Sequence, residues 1–403
     1  MADLAAILIA ARDEEGRIGQ TVRALQGQFP GADVIVADDG SRDGTAREAQ
    51  DAGAHVVRLP HRGKGAALTL AELTAPEGRL LLCDADLVGD LQPIVDADGD
   101  LVVAAFAERH GGGFGIVKRT ARALIRLASG YEATEPISGQ RVLSEEGRRQ
   151  VFPLAPGFAG CEARMTVDAV RAGLRVVEVE IALRHRETGR DLSGFLHRGK
   201  QFVHLLLAFG PTATNHRGLR LPIAGWIVGA RHPGVGAVAA IGLADDLWSG
   251  PERGFKGHLG AGSTTGILKL AGIPLVGLLA TRKLSGALLV GLAANFVNQL
   301  DTKPGRALKA YLAGALVVGA PVGSAVLLLP YDLREKVMLG DAGSNALGAL
   351  LGLSSVSRLT GTSRWLAIGA LAGLTLLGER RSLGELIERT PGLRTIDRLG
   401  RQP

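Results

Sequence analysis

The chain has 403 residues, with 46 Lys and Arg against 40 Asp and Glu, a formal net charge of +6, and a sequence pI near 9.6. That length accommodates two domains with a sizeable core, and two cysteines, Cys83 and Cys161, exclude a disulfide framework and suit a reducing compartment. The basic balance fits an anionic partner such as a nucleotide or a lipid headgroup surface, whereas scattered basic residues without aromatic interleaving argue against nucleic acid.

From the amino end, LAAILIAA (4–11), ADVIVAD (32–38), HVVRL (55–59), GRLLLCDAD (78–86) and DLVVAAF (100–106) read as short strands bounded by Gly, Pro or acids. The first of these follows no basic n-region, so the opening is not read as a signal peptide. Residues 14–29 and 43–53 carry apolar side chains at helical spacing. Strand–helix–strand order predicts an α/β, Rossmann-like, mostly parallel sheet that binds ligands beyond the carboxyl ends of its strands. Asp38 and Asp39 stand at such an end. In HRGKGAAL (61–68) a Gly-flanked Lys64 offers a close approach to a phosphate. Asp84 and Asp86, spaced i and i+2, share a face, so both can reach one hard cation, Mg²⁺ or Mn²⁺, that neutralises a departing diphosphate.

In this order and spacing, residues 5 to about 200 resemble a GT-A-fold, family-2 glycosyltransferase of the polyprenyl-phosphate hexose synthase kind. ILIAARDEE is similar to the opening strand and nucleotide loop, which implies Ala11, Asp13 and Glu14 near the base, although AAR stands where Pro-Ala-Tyr-Asn is usual. VADDGSRDGT resembles the base-contacting acid pair, DAD the metal-binding D-x-D, and ISGQRVLSEEG (137–147), with Arg141, an acceptor-side segment. Residues 157–201 resemble the closing helix and strand, placing Glu162 near the acceptor and HRETGRD (185–191) near the phosphates. The resemblance implies Lys64, Asp38, Asp39, Asp84 and Arg141 around a nucleotide-diphosphate sugar, with Asp84, Asp86 and His185 at the metal. Asp86, Glu162 and Arg186 would then carry catalysis. Arg186 would stabilise the departing diphosphate, and Glu162 would be the base for a hydroxyl acceptor. A lipid phosphate acceptor, already anionic, needs no strong base.

From about residue 204 the pattern changes to apolar segments rich in small residues, with basic clusters such as Arg282–Lys283 and Arg380–Arg381. This predicts an all-α, membrane-associated domain over 206–385, after a first domain over 1–205 and before a polar tail over 386–403. Asp245 and Asp246 end one apolar segment, Asp341 begins another, and Asn295, Asn298 and Asp301 recur at intervals of three as one polar helical stripe. GLADDL, NFVNQLD and MLGDAGSNALG resemble, in order, three motifs of the polyprenyl-phosphate N-acetylhexosamine-1-phosphate transferases. That resemblance implies a second Mg²⁺ site at Asp245, Asp246 and Asp341. The family's first spans are mostly absent, TKPGR (302–306) replaces its second "DG", and its His-rich loop is missing.

All three motifs would face the cytoplasm, as would the first domain, in a multi-pass cell-membrane protein. Breaks at ARHP (230–233) and GAPVG (319–323) leave arms of about 18 Å, short of a hydrocarbon core of about 30 Å. Re-entrant arms, or a bundle completed by an oligomeric partner, would follow. The expected activity is membrane-bound transfer of a sugar to a polyprenyl-phosphate-type lipid. The alternatives are a bifunctional enzyme with an active second half, and a second half that is only anchor or scaffold. A soluble nucleotidyltransferase would need a Gly-rich, Arg/Lys opening loop that is missing.

Overall fold

Eight apolar residues, LAAILIAA, form β1 (Leu4–Ala11), and Ile7, Leu8 and Ile9 are wholly buried because parallel strands flank it on both sides and helices cover both faces. The chain is described from a computed structural model over residues 4–86, 89–106, 115–157, 160–182, 192–248 and 264–402. Its two compact units are Met1–Arg220 and Leu221–Pro403.

In the first unit β1 pairs with β2 (Asp33–Asp38) and β4 (Arg79–Asp84), and β3 (His55–Arg58) lies outside β2. Beyond β4 come β6 (Arg141–Leu143), β5 (Leu101–Phe106) and β7 (Val176–Ile181). The pairings are parallel except those of β6, which runs antiparallel to β4 and β5. Alternation along the strands builds two cores. Ile7, Ile9, Val34 and Val36 pack with Ile18, Val22 and Leu25 of α1 (Ile18–Gln28). Ala6, Leu8, Ile35 and Ala37 pack with Ala67, Leu68 and Ala71 of α3 (Lys64–Glu72) and Met165 of α7 (Gly160–Arg171). Truncating one such residue, Ile9→Ala, costs about 2–5 kcal/mol. The register aligns Ala10 with Asp84 and Ala11 with Asp38, so the acidic ends of β2 and β4 lie level at one rim.

The sequence marks β1 to β5 but not β6, whose three residues lie within the segment expected on the acceptor side. Nor does the first unit stop at residue 205, because α8 (Leu192–Phe209) runs through that position.

The second unit is helical: α9 (Pro233–Trp248), α10 (Thr264–Thr281), α11 (Leu284–Leu300), α12 (Arg306–Val318), α13 (Gly323–Asp332), α14 (Gly340–Arg358) and α15 (Gly361–Arg380). Two short helices, α16 (Leu383–Arg389) and α17 (Pro391–Arg398), end it. Breaks fall at 232 and 319–322, as ARHP and GAPVG imply. Small residues let helix backbones touch. A Cβ on Gly348 would lie 2.3 Å from Ala293 O, and one on Gly352 2.6 Å from Val290 Cα, so α14 lies directly on α11.

The expectation of a multi-pass membrane domain with transmembrane helices is corrected here. Among the described residues no helix is long and apolar enough to cross a membrane. Lys269 and Pro274 interrupt α10, and α13 is a ten-residue helix containing Pro330. Large apolar side chains nevertheless stand outward, including Leu279, Leu316, Leu366 and Leu376.

The segment expected as a polar tail is folded against α12. Arg306 Nε and Nη2 donate to both oxygens of buried Asp397 (3.0 and 2.9 Å), and Lys309 Nζ donates to the carbonyls of Ile396, Asp397 and Leu399 at the end of α17.

Candidate active site

At the end of β2 the two aspartates are nearly buried, at 6% and 5% exposure, because each is used to shape a loop. Asp38 Oδ1 accepts from the Ser41 N–H (3.0 Å). Asp39 draws the β3–α3 loop onto the rim, accepting from Arg62 N–H (2.6 Å) and Gly63 N–H (3.0 Å to Oδ2), with His61 Nδ1 at 2.8 Å. Gly63 makes that turn at φ +102°, a conformation that other residues rarely adopt. The far nitrogen of His61, Nε2, lies 2.7 Å from Arg12 Nη1. The loop after β1 is laced to the loop after β2: Asp13 N–H donates to Ser41 Oγ (3.0 Å), Asp13 Oδ1 accepts from Arg42 N–H (2.9 Å), and Glu14 N–H donates to Thr45 Oγ1 (2.7 Å). Ala11 is buried beneath this loop, whereas Asp13 is exposed and Glu14 half-buried.

The centre of the rim is an ionic bridge. Lys64, first residue of α3, donates to Asp84 Oδ1 at the end of β4 (2.7 Å) and sits 2.6 Å from Glu162 Oε1 in the first turn of α7. Although burial works against the charge, Asp84 and Glu162 hold the ammonium well above the usual lysine range. The outer oxygen of Asp84 accepts from Gln140 Nε2 (2.9 Å), and that of Glu162 from the Cys161 thiol (3.1 Å). Burial, then the neighbouring Glu162, pushes the Cys161 thiol far up, so it stays neutral. Asp86 follows in the turn after β4, half-buried.

Arg141 does not reach this rim as an open cation. It is wholly buried, and its guanidinium donates to Ser138 O (2.8 Å), Thr166 Oγ1 (2.9 Å) and Pro136 O (3.2 Å), tying the turn before β6 to α7. Burial lowers its proton affinity from the ordinary arginine value while Glu162 opposes that. His185 and Arg186 lie outside the described residues. Sequence reasoning missed His61, Arg12 and Gln140; HRGKG drew attention only to its lysine.

Among the described residues no three His, Cys, Asp or Glu side chains are gathered to hold a metal on their own. A Mg²⁺-type ion needs only one or two carboxylates beside substrate phosphates, and the Asp86–Asp84 pair at the strand end supplies hard oxygens of that kind.

The second unit gathers its own carboxylates. Lys269 of α10 donates to Asp245 Oδ2 (2.9 Å) and Asp341 Oδ2 (2.5 Å). Asp246 accepts from the N–H groups of Asp341 and Ala342 (both 2.9 Å) at the start of α14, yet burial and then the Asp341 charge push it up to about 7. Asp301, at the end of α11, is raised far above the ordinary carboxylate range by burial and by Asp332, Asp341 and Asp246. Lys269 thus links Asp245 to Asp341, and Asp246 caps the start of α14 at Asp341, while Asp301 is near enough to feel the charges of Asp246 and Asp341. Of the expected stripe, Asn295 Nδ2 donates to Thr375 Oγ1 (3.3 Å), and the main-chain carbonyl of Asn298 accepts from the Asp301 N–H (2.9 Å) as α11 ends. Lys269, hidden in an apolar run, was not legible as a site residue.

The family model described as "Glycosyl transferase family 2" matches residues 6–169. Undecaprenyl-phosphate mannosyltransferase of Micrococcus luteus is 30% identical over 209 residues, 46% of this chain and 85% of the relative. Glycosyltransferase AglJ of Haloferax volcanii is 30% identical over 172 residues, 40% of this chain, and the match spans only 56% of the relative's length. Among solved structures, glucosyl-3-phosphoglycerate synthase from Mycobacterium tuberculosis in complex with Mg²⁺ and uridine diphosphate is similar at 26% identity and a TM-score of 0.43, over 51% of this chain and 79% of that one.

Proposed function

The chain belongs to the family-2 glycosyltransferases, enzymes that use nucleotide sugars, and from that premise we propose that its first unit moves a sugar from a nucleotide-diphosphate donor to a phosphate-bearing lipid of the polyprenyl-phosphate class. The observation that carries this reading is the meeting of Asp84, Lys64 and Glu162 at the carboxyl rim of the sheet, beside Asp86. The loops laced through Asp38, Asp39, Asp13 and Glu14 form the nucleoside end. Asp86, with Asp84 behind it, is the place for a divalent ion, Mg²⁺ or Mn²⁺, which when bound supplies positive charge for the departing diphosphate. Glu162 lies across Lys64 from the D-x-D strand, so it orients the acceptor from α7. A phosphate acceptor attacks as an anion and needs no proton taken from it, which suits a Glu162 whose oxygens already accept from Lys64 and Cys161.

The test gives radiolabelled nucleotide sugars and Mn²⁺ or Mg²⁺ to the full chain with polyprenyl phosphate in detergent. Lipid-extractable label that disappears in Asp86→Ala is the expected result. Release of free sugar alone, or label that survives in Asp86→Ala, overturns the reading.

A second reading concerns the second unit. The bridging of Asp245 and Asp341 by one ammonium supports a site for a lipid-linked phosphate, in the manner of a sugar-1-phosphate transferase, and the outward apolar side chains of α10, α12 and α15 suit contact with lipid or a second copy. Nucleoside monophosphate among the products, lost in Asp341→Asn, marks that activity. Its absence leaves the unit as anchor or scaffold.

A further inference from the structure

Within Ile-Ser-Gly-Gln-Arg (137–141), Gly139 and Gln140 lie against Asp84. We propose that Gly139 and Gln140, with Lys64, clamp the first aspartate of the D-x-D pair, so that donor binding depends on Gln140 through Asp84 while Gln140 itself touches no donor atom. The inference rests on the nucleotide-sugar reading above.

Three independent observations meet on one carboxylate. Lys64 Nζ holds Asp84 Oδ1 (2.7 Å) and Gln140 Nε2 holds Asp84 Oδ2 (2.9 Å), so each oxygen has its own donor. Gln140 is wholly buried, and the Ser138 hydroxyl donates to its Oε1 (3.3 Å), which turns the amide nitrogens toward Asp84. The carboxylate also lies flat against Gly139, where a Cβ would sit 2.3 Å from Oδ2, 2.4 Å from Oδ1 and 2.5 Å from Cγ. No side chain fits there unless Asp84 moves.

The direction of β6 explains why this segment holds the task. Leu82 pairs with Arg141 in antiparallel register, so as β4 runs forward to Asp84 the partner chain runs backward to Gly139. An inverted strand thus brings the residues before it to the rim, where a parallel strand would bring those after it. The same Lys64 continues to Glu162 (2.6 Å), and the clamp therefore also fixes the D-x-D strand relative to α7. Asp84 becomes a fixed wall, and Asp86 is the D-x-D carboxylate left to meet a cation.

The experiment measures binding of uridine or guanosine diphosphate with Mn²⁺ to the full chain by calorimetry, in a double-mutant cycle of Gln140→Met and Asp84→Asn. Gln140→Met keeps the volume and loses the donor. We expect it to weaken binding about tenfold in the wild-type background, the size of one buried hydrogen bond to a charged group, and less than about twofold in Asp84→Asn. In turnover, KM for the donor rises while kcat holds within about threefold. Gly139→Ala, which displaces Asp84 without removing any donor, reproduces the weakening. Equal losses from Gln140→Met in both backgrounds overturn the proposal, as does unchanged affinity in both Gln140→Met and Gly139→Ala. A wild-type chain that binds neither diphosphate with Mn²⁺ overturns the donor reading itself and the clamp with it.

Discussion

In the first unit Lys64 bridges Asp84 and Glu162, and in the second Lys269 bridges Asp245 and Asp341. Around Lys64 the charges balance. Arg141 adds a second cation close enough to feel Glu162, and neutral donors from Gln140 and Cys161 complete the carboxylates. Around Lys269 they do not, because Asp246 and Asp301 are both driven toward the protonated form, first by burial and then by neighbouring carboxylates, Asp341 for Asp246 and Asp332 for Asp301. Buried carboxylates stay ionised only where cations or hydrogen-bond donors match them. The first cluster is therefore a rigid, charge-neutral frame, and the second is short of positive charge at neutral pH.

The largest effect separates the two clusters by chemistry. Asp86→Ala should lower sugar transfer by about a hundredfold or more, the loss expected when charge stabilisation of a leaving group is removed. Asp341→Ala should leave nucleoside diphosphate release at the wild-type rate. Equal losses in the two variants would break the division of labour.

Next comes stability. Lys64→Met strands two carboxylates at a site where the lysine side chain is 8% exposed, and should cost about 3–5 kcal/mol in denaturant unfolding. Lys269→Met should cost less, because Asp341 is 28% exposed and can be hydrated. Trp226, Trp248 and Trp365, the chain's three tryptophans, all lie in the second unit. Indole fluorescence therefore follows that unit alone, while far-ultraviolet circular dichroism follows both.

A smaller effect tests the surplus of acid. Asp332 is pushed up to about 6 by burial, against the opposing hydrogen bond from Gly305 N–H. A carboxyl whose folded value is raised contributes stability that is fully present below its unfolded value of 3.8 and is lost as pH rises through about 6. The fluorescence-detected midpoint should fall by about a few degrees between pH 5 and pH 7.5. The fall should shrink in Asp332→Asn, whose amide oxygen still accepts from Gly305. A midpoint that rises with pH contradicts the assignment. At the bottom of the scale, Arg389→Ala removes a surface pair with Glu385, both partners more than half exposed, and should leave the midpoint unchanged.

The first five strands were legible because each is a short apolar run bounded by Gly, Pro or acids, and the D-x-D pair stands at a strand end that the pattern marks, with Lys64 picked out by its flanking glycines. The link from Lys64 to Asp84 and Glu162 was not, since it forms only once sheet order brings α3, β4 and α7 together. Arg141 looked like an acceptor contact because a lone arginine after Gly-Gln gives no sign of burial, and β6 is too short for periodicity to register. In the second unit the adjacent aspartates could be read, but Lys269 sits in an apolar run that reads as a plain segment. TKPGR, a departure from its resemblance, holds Arg306, which clasps Asp397 some ninety residues on, a pairing no local pattern reveals.

The inverted strand β6, fifth of seven in the sheet order, also bears on how readily this enzyme can be retuned. Gly139 with Gln140, and Lys64 with Glu162 behind it, come to Asp84 from three separate segments, so a change at any one meets partners still shaped for the original. Libraries that vary these positions singly should return losses only. New donor preferences should come first from exposed Arg12 and Asp13, whose partners lie in neighbouring surface loops, and only later from concerted replacements at the rim.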